Sequence, residues 1–278
     1  MADNARSILI TGAASGIGHD AALTFAKRGW RVFATCRKPE DAKKFSGNGL
    51  DGLFLDYEDR DSIAEAVNYV LDSSSGRLDA LFNNGAYAIP SPIEDLSRDA
   101  MAAIFNANFL GWHDLTVQIL PAMRAQGHGR IVNCSSVLGL VSTPYRGAYS
   151  ATKFALEAWA DALRMELVGT GIRVSLIEPG PIDTNFRKNA IKQFEKWVDW
   201  KMSPHATDNQ NRLLDRLYKG STNSRFQLPA SAVTKKLIHA VEHPRPKPRY
   251  YVTVPTYGAN LLRRILPTPI LDKVLSRG

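Results

Sequence analysis

The chain of 278 residues has only two cysteines, Cys36 and Cys134. Two thiols cannot make a disulfide framework, and both lie in apolar, strand-like runs. They read as buried thiols of a reducing compartment. No cysteine pair has metal-ligand spacing. His239 and His243 are four apart but close a helical pattern and lack a third ligand, so no metal site is expected. Long apolar runs are missing too. Nothing approaches the roughly 20 residues of a membrane span, and Met1–Arg6 has no apolar core for a signal peptide. The expected location is the cytoplasm. Acidic residues are the scarcer sign, 27 against 35 Lys and Arg, for a formal net charge of +8. The last 38 residues hold seven of those cations (Arg245, Lys247, Arg249, Arg263, Arg264, Lys273, Arg277) against Glu242 and Asp272. No helix-turn-helix, finger or RNA-recognition pattern accompanies them, so a solvated basic rim is expected rather than a nucleic-acid partner.

What is present is a core. Apolar residues make up 44% and charged residues 22%, which is ordinary for a soluble globular chain and rules out disorder. The length suffices to bury most apolar surface in a single α/β domain. Short apolar runs alternate with helical patterns. Strands are expected at Ser7–Thr11, Arg31–Thr35, Leu53–Leu55, Ala80–Phe82, Arg130–Cys134, Arg173–Ile177 and Tyr250–Val254. Helices are expected at Ile17–Arg28, Arg60–Leu71, Arg98–Gln126 (bent at Gly111 or Pro121), Tyr149–Val168 and Ala230–Glu242. This rhythm implies right-handed crossovers and a parallel sheet. The strands are nearly all apolar, as a sheet covered on both faces requires. The fold class is α/β, a doubly wound, Rossmann-like single domain.

Thr11-Gly12-Ala13-Ala14-Ser15-Gly16-Ile17-Gly18 follows a strand and opens a helix. Glycines there allow a sharp turn and let backbone approach a pyrophosphate, while the helix N-terminus offers free N–H donors. The second strand ends Cys36-Arg37-Lys38. A dinucleotide with free ribose hydroxyls usually meets an acid at this place. Two cations stand there instead, and a guanidinium fork matches a phosphate. NADP is therefore favoured over NAD. Ser136, Tyr149 and Lys153 form a further group. Lys153 falls one helical turn after Tyr149 on the same face. A nearby ammonium stabilises a phenolate and lowers the phenol's pKa, which makes Tyr149 a usable general acid–base for a hydroxyl/carbonyl pair. Ser136 follows a strand and lies at the same sheet edge, where it can bond the substrate oxygen.

Together these features resemble the short-chain dehydrogenase/reductase family over about residues 6–184. The matches are Thr11–Gly18, Asp56, Asn83-Asn84, Asn108 in Asn-Phe-Leu-Gly, Ser135-Ser136, Tyr149-Ser-Ala-Thr-Lys153, and Pro179-Gly180 with Thr184. Ser136 lies 13 residues before Tyr149, as in the family pattern. The resemblance implies that Tyr149 is the acid–base and that Lys153 lowers its pKa and binds the nicotinamide ribose. It implies that Ser136 orients the carbonyl and Asn108 holds a water in a proton relay. Gly12, Ser15, Gly16, Ile17 and Gly18 would cradle the cofactor, with Arg37 at its phosphate. Asp56 would contact adenine, Asn83 and Gly85 the adenosine ribose region, and Pro179, Gly180 and Thr184 the nicotinamide side. One departure is Asn83-Asn84-Gly85-Ala86, where the family has Asn-Asn-Ala-Gly; a Cβ stands where the family has none.

Asn185–Leu228 breaks the rhythm: polar overall, it carries Phe186, Phe194, Trp197, Trp200 and Met202. On the carboxyl-end side of the sheet it reads as a lid (185–228) over an apolar substrate. Pro244–Arg249 should be stiff and extended. After it, residues 255–278 form a basic amphipathic segment. It is expected to pack on its own domain or a partner subunit rather than lie on an anionic membrane. The resemblance to the retinol and 17β-hydroxysteroid dehydrogenase branch implies an apolar ketone, aldehyde or alcohol. A homodimer or homotetramer is expected. The competing reading is a catalytically idle dinucleotide sensor or scaffold on the same fold.

Overall fold

The computed structural model describes residues 5–219 and 225–276. Its centre is an eight-stranded sheet built from β1 (Ser7–Ile10), β2 (Arg31–Cys36), β3 (Ser46–Gly47), β4 (Leu50–Phe54), β5 (Ala80–Asn83), β6 (Gly129–Cys134), β7 (Ile172–Glu178) and, last in the chain, β10 (Arg249–Tyr251). The order across the sheet is β10-β7-β6-β5-β1-β2-β4-β3. Every pairing is parallel except the short β3–β4 hairpin. That hairpin is absent from the sequence pattern because a two-residue strand has no period to read. β1 and β5 are buried along their whole length, which is why they read as unbroken apolar runs. The strand order reverses between β1 and β5. Their carboxyl ends therefore flank the crevice where doubly wound folds place ligands.

Helices cover both faces: α1 (Gly16–Lys27), α2 (Pro39–Ala42), α3 (Arg60–Ser73), α4 (Arg98–Phe105), α5 (Gly111–Ala125) and α6 (Gly147–Glu166), with α9 (Ser231–Glu242) beside α1. The expected long helix at 98–126 is two helices joined by a wide turn over Asn106–Leu110. The bend falls just before Gly111, where a Cβ would stand 2.5 Å from the Tyr57 backbone oxygen. Pro121 stays inside α5. The carbonyl its ring leaves without a donor, four residues back, belongs to Val117, which is exposed and can turn to water.

The excursion after β7 consists of β8 (Ile182–Asp183), α7 (Phe186–Trp197), α8 (Ala206–Asp208), a wide helix over Asn209–Lys219, and β9 (Leu228–Pro229), which pairs with β8. Residues 220–224 of the expected lid lie outside the described residues. Phe194, Leu213 and Leu217 are buried in a second apolar cluster with Tyr87, Ala148 and Tyr149. The aromatics of this segment thus pack over the end of α6 rather than only on one another. Met202 stays exposed.

The C-terminus corrects an expectation. β10 ends at Tyr251, α10 already begins at Val254 and runs to Ile265, and α11 covers Thr268–Leu275. Val254, Tyr257, Leu261, Ile265, Ile270 and Val274 are 46–67% exposed. Only Thr256 and Ala259, on the opposite side of α10, are buried. The apolar stripe is therefore not packed on its own domain. Among the described residues no helix is long and apolar enough to cross a membrane. Arg277, part of the basic count, lies outside them. Both cysteines are free and buried, and burial pushes each thiol up to about 11. His239 and His243 stack with ring centroids 4.3 Å apart, and His239 Nδ1 bonds the Tyr250 hydroxyl at 2.8 Å.

Candidate active site

The cradle forms where β1 runs into α1. Gly12 and Gly16 take φ of +64° and +60°, a left-handed conformation in which a side chain is strained. A Cβ on Gly12 would stand 2.7 Å from the Gly85 Cα, and one on Gly18 would stand 2.4 Å from the Gly12 oxygen. The β1 and β5 turns are thus in backbone contact. Thr11 holds them together: its Oγ1 accepts from the backbone N–H of Asn84 (2.8 Å), and its carbonyl accepts from Asn84 Nδ2 (3.0 Å). Ser15 is the N-cap of α1, yet no side chain caps the helix. The N–H groups at Gly16 and Ile17 therefore remain as donors for an anion. Thr184 packs against Gly16, so the loop after β7 closes the other side. The half-buried Ala86 packs on the core, which accommodates the extra Cβ of the Gly85-Ala86 order. This turn, uncapped helix and close backbone contact fit a dinucleotide.

Around the cradle, the residues expected to bind cofactor divide into two kinds. Arg37 is exposed at the end of β2, and the carboxyl groups of Asp56 and Glu58 share its surroundings. Burial and then Asp56 push Glu58 up, while Lys196 and Arg37 pull it down. Asp56 is half-buried, with its carboxylate accepting from the Glu58 N–H (3.1 Å). Asn83 is different. It is fully buried, and its amide donates to Thr116 Oγ1 (3.1 Å) and Asn133 Oδ1 (2.9 Å). Its own Oδ1 lies 3.0 Å from the Tyr57 hydroxyl. The Asn83 side chain is therefore spent inside the protein. Pro179 accepts from the Val137 N–H (2.8 Å), which ties its loop to the one carrying Ser136. Gly180 lies against Thr253, tying the same loop to the start of α10.

Tyr149 and Lys153 share a face of α6, and Ser136 follows β6 beside them. Lys153 is 1% exposed. Its Nζ donates to the Cys134 carbonyl (2.8 Å) and sits 4.3 Å from the Trp112 ring and 5.6 Å from the Tyr149 ring centroid. Burial pushes its amine down to about 8. Burial also pushes the Tyr149 phenol up, further helped by Cys134, against the Ser136 hydrogen bond and Arg146. In this arrangement the ammonium donates to the Cys134 carbonyl, and burial is the largest influence on the phenol. Ser136 Oγ also accepts from the Leu138 N–H (3.1 Å). Asn108 lies in the wide turn. Its amide donates to the Tyr87 carbonyl (2.8 Å) and accepts from the Tyr87 N–H (3.0 Å), and Nδ2 also reaches Thr152 Oγ1 at 3.3 Å. Phe186 from α7 meets Tyr149 edge-on at 5.4 Å between centroids.

Sequence reasoning missed the support beneath this group. Glu157, one turn beyond Lys153, receives Arg249 Nη2 at 3.0 Å. The same guanidinium reaches Asp161 at 2.7 Å and Glu178 at 3.2 Å. Burial, then Glu157, pushes Glu178 up to about 9. Three carboxylates and one arginine thus join α6, β7 and β10 under the Ser136 and Pro179 loops. No local motif marks them, since Arg249 lies 92 residues from Glu157. The register Tyr251 opposite Glu178 is what brings them together.

A dinucleotide cradle beside a Ser–Tyr–Lys group defines an oxidoreductase acting on alcohol/carbonyl pairs. The model of the short chain dehydrogenase family matches residues 6–195. An uncharacterized oxidoreductase, YbbO of Escherichia coli strain K12, is 43% identical over 270 residues, covering 97% of this chain and 94% of that one. Short-chain dehydrogenase/reductase family 9C member 7 of Bos taurus is 33% identical, covering 97% of this chain and 88% of its own. A short-chain dehydrogenase of Streptomyces avermitilis superposes with a TM-score of 0.79 at 26% identity, covering 99% of this chain and 94% of that one. The chain belongs to the short-chain dehydrogenase family. Solved relatives of this fold carry NADP or NAD.

Proposed function

We propose that the protein is an NADP(H)-dependent oxidoreductase that interconverts an alcohol and a carbonyl on a mostly apolar substrate. The observation that carries this reading is the convergence of Tyr149, Lys153 and Ser136 beside the Gly12–Gly18 cradle. Gly12, Ser15, Gly16, Ile17 and Gly18 would receive the pyrophosphate, Arg37 the adenosine phosphate, and Asp56 with Gly85 the adenosine. Thr184, Pro179 and Gly180 would border the nicotinamide. The bound cofactor supplies or accepts the hydride. Tyr149 donates its proton to the carbonyl oxygen in reduction and takes one from the hydroxyl in oxidation. Ser136, beside the same phenol, orients the substrate oxygen. Lys153 fixes the β6 end through Cys134 and would turn to the ribose. The Asn108 amide is engaged with Tyr87, so a relay water would be held by the Asn108 backbone. The lid over 185–228 supplies apolar walls through Phe186, Phe194 and Leu217, which supports an apolar substrate. The human relative retinol dehydrogenase 8, 36% identical over 200 residues and covering 69% of this chain and 64% of its own, supports that substrate class.

The apolar stripe of α10 and α11 is read as a contact with a second copy of the chain in a homodimer or homotetramer. Arg263 supports this over an anionic membrane, because it turns off the stripe onto the Phe154 ring, 5.3 Å from its centroid. The complete Tyr149, Lys153 and Ser136 set favours turnover over an idle sensor. The test is Tyr149→Phe, assayed by NADPH oxidation against a panel of apolar aldehydes and ketones. Turnover should fall by about two orders of magnitude or more with dinucleotide affinity little changed. Near-wild-type turnover in the variant, or dinucleotide binding without turnover by the wild type, overturns the reading.

A further inference from the structure

Arg146 stands three residues before Tyr149, at the N-terminal boundary of α6. It is half-buried, and among the described residues its guanidinium has no hydrogen bond and no ion pair. The ionisable groups that face it are Tyr149, Arg187 and Arg216. Both arginines oppose its charge, and together with burial they push it down. Arg187 comes from α7 and is fixed in place, donating from Nε and Nη2 to the Leu217 carbonyl at 3.0 and 2.9 Å. Arg216 is the residue before Leu217. Arg146 of α6 thus stands near two further cations, from α7 and the wide helix after it, beside Tyr149.

The surroundings sharpen this. No side chain caps α6, so its N-terminus adds partial positive charge. Tyr145 holds the preceding turn with φ +65°, a conformation that a bulky side chain takes only at a cost. Its carbonyl is pinned by the Ser91 N–H at 3.1 Å. The walls are apolar, with Phe186 against Tyr149 and Leu213 and Leu217 buried. A guanidinium half-desolvated among like charges is unfavourable unless an anion joins it.

We infer that Arg146, backed by Arg187 and Arg216, binds a carboxylate carried by an otherwise apolar substrate. The inference rests on the oxidoreductase reading and narrows its substrate class. The fork of donors suits a carboxylate. The phosphates of a dinucleotide fall instead to the α1 N-terminus and Arg37. Arg146 would thereby set which end of the substrate lies beside Tyr149.

The test compares matched aldehydes with the wild-type protein and NADPH: para-carboxybenzaldehyde against para-methylbenzaldehyde, and azelaic semialdehyde against nonanal. For at least one pair, kcat/KM should favour the acid at least tenfold, the size of one charge-assisted contact. Arg146→Gln should remove that preference through KM, and Arg146→Lys should restore part of it. Because Arg146 also holds the Tyr149 phenol down, any change in kcat should be shared by acid and neutral partner, and KM for the neutral aldehydes should stay the same in all three proteins. Equal wild-type values for acid and neutral partner in both pairs overturn the inference. So does a loss of kcat/KM in Arg146→Gln that is the same for both partners, or that appears as weaker NADPH binding. Tryptophan quenching by the acids, read in the NADP complex, separates the two levels. Acids that bind through Arg146 without turnover keep the anion site and sink the oxidoreductase reading. Turnover without preference does the reverse.

Discussion

The titration of Lys153 gives a quantitative check on the site that needs no substrate. The amine is 1% exposed and is pushed down to about 8 from an ordinary 10.5, chiefly by burial. An unfolded chain restores the ordinary value. Between pH 8 and 10.5 the unfolded state therefore holds a proton that the folded state has released. Stability from this group is lowest below pH 8 and rises with pH through that window. At roughly 1.4 kcal/mol per pH unit, the gap amounts to about 3 kcal/mol. Lys153→Met removes the group. It also strips the Cys134 carbonyl of a donor, so its absolute stability combines two effects of opposite sign. The slope is free of that ambiguity. Cys134, pushed up to about 11, and Glu178, pushed up to about 9, both act in the opposite direction as pH rises. Glu178 does not face Lys153 and cancels in the comparison, whereas the Lys153 ammonium holds the Cys134 thiol down, so the comparison is read below pH 9, before that thiol ionises in either state. Urea unfolding of the two proteins without dinucleotide, stepped through the window up to pH 9, should show the wild type gaining about 1.4 kcal/mol on the variant. A stability difference that stays constant with pH would refute the reasoning, because the amine would then be solvated and not buried against Trp112.

Three further outcomes follow from other parts of the molecule. Arg37→Asp should weaken NADPH binding relative to NADH by about 1.5–3 kcal/mol, tenfold to more than a hundredfold. Fluorescence titration of both cofactors checks it, and an unchanged preference sinks the phosphate role. Gly12→Ala places a Cβ 2.7 Å from the Gly85 Cα at φ +64°. It should cost about 1–3 kcal/mol in unfolding free energy and abolish dinucleotide binding. A variant that melts and binds like the wild type contradicts the cradle. Paired Leu261→Glu and Ile265→Glu should reduce the oligomer seen by light scattering while leaving the monomer folded. An unchanged mass, or salt-sensitive loss of binding to anionic vesicles instead, removes the second copy from that face.

The sheet was legible because each of its main strands is an apolar run bounded by turn residues. The cradle was legible because its glycines sit between a strand and a helix. Boundaries slipped where tertiary contacts decide them. α10 already takes in Val254, the expected last residue of the strand, since Thr253 lies against Gly180 and Thr256 rather than continuing β10. The wide turn at Asn106–Leu110 has the composition of an ordinary helix. What sets it is the close approach of Gly111 to Tyr57, which comes from another element. The Ser136, Tyr149 and Lys153 group followed from spacing, but its electrostatics did not. One turn of helix brings an ammonium near a phenol in sequence, whereas the Cys134 carbonyl claims that ammonium in space.

The same distinction separates the two kinds of arginine near the site. Arg37 could be singled out from the sequence because a strand end after the glycine turn is where such folds place the adenosine end of a dinucleotide. Arg249 and Arg146 could not, because their meaning depends on who stands opposite. Arg249 meets Glu157, Asp161 and Glu178, so its charge is answered within the fold and braces the loops under Ser136 and Pro179. Arg146 meets Arg187 and Arg216 and is answered by nothing among the described residues. Two half-buried guanidiniums therefore differ in consequence: removing Arg249 leaves carboxylates stranded and costs the fold, while removing Arg146 relieves a repulsion. Arg146→Gln should unfold at the same or higher urea concentration than the wild type. A marked loss of stability would mean that Arg146 is structural, and the site would lose its anchor for an anion.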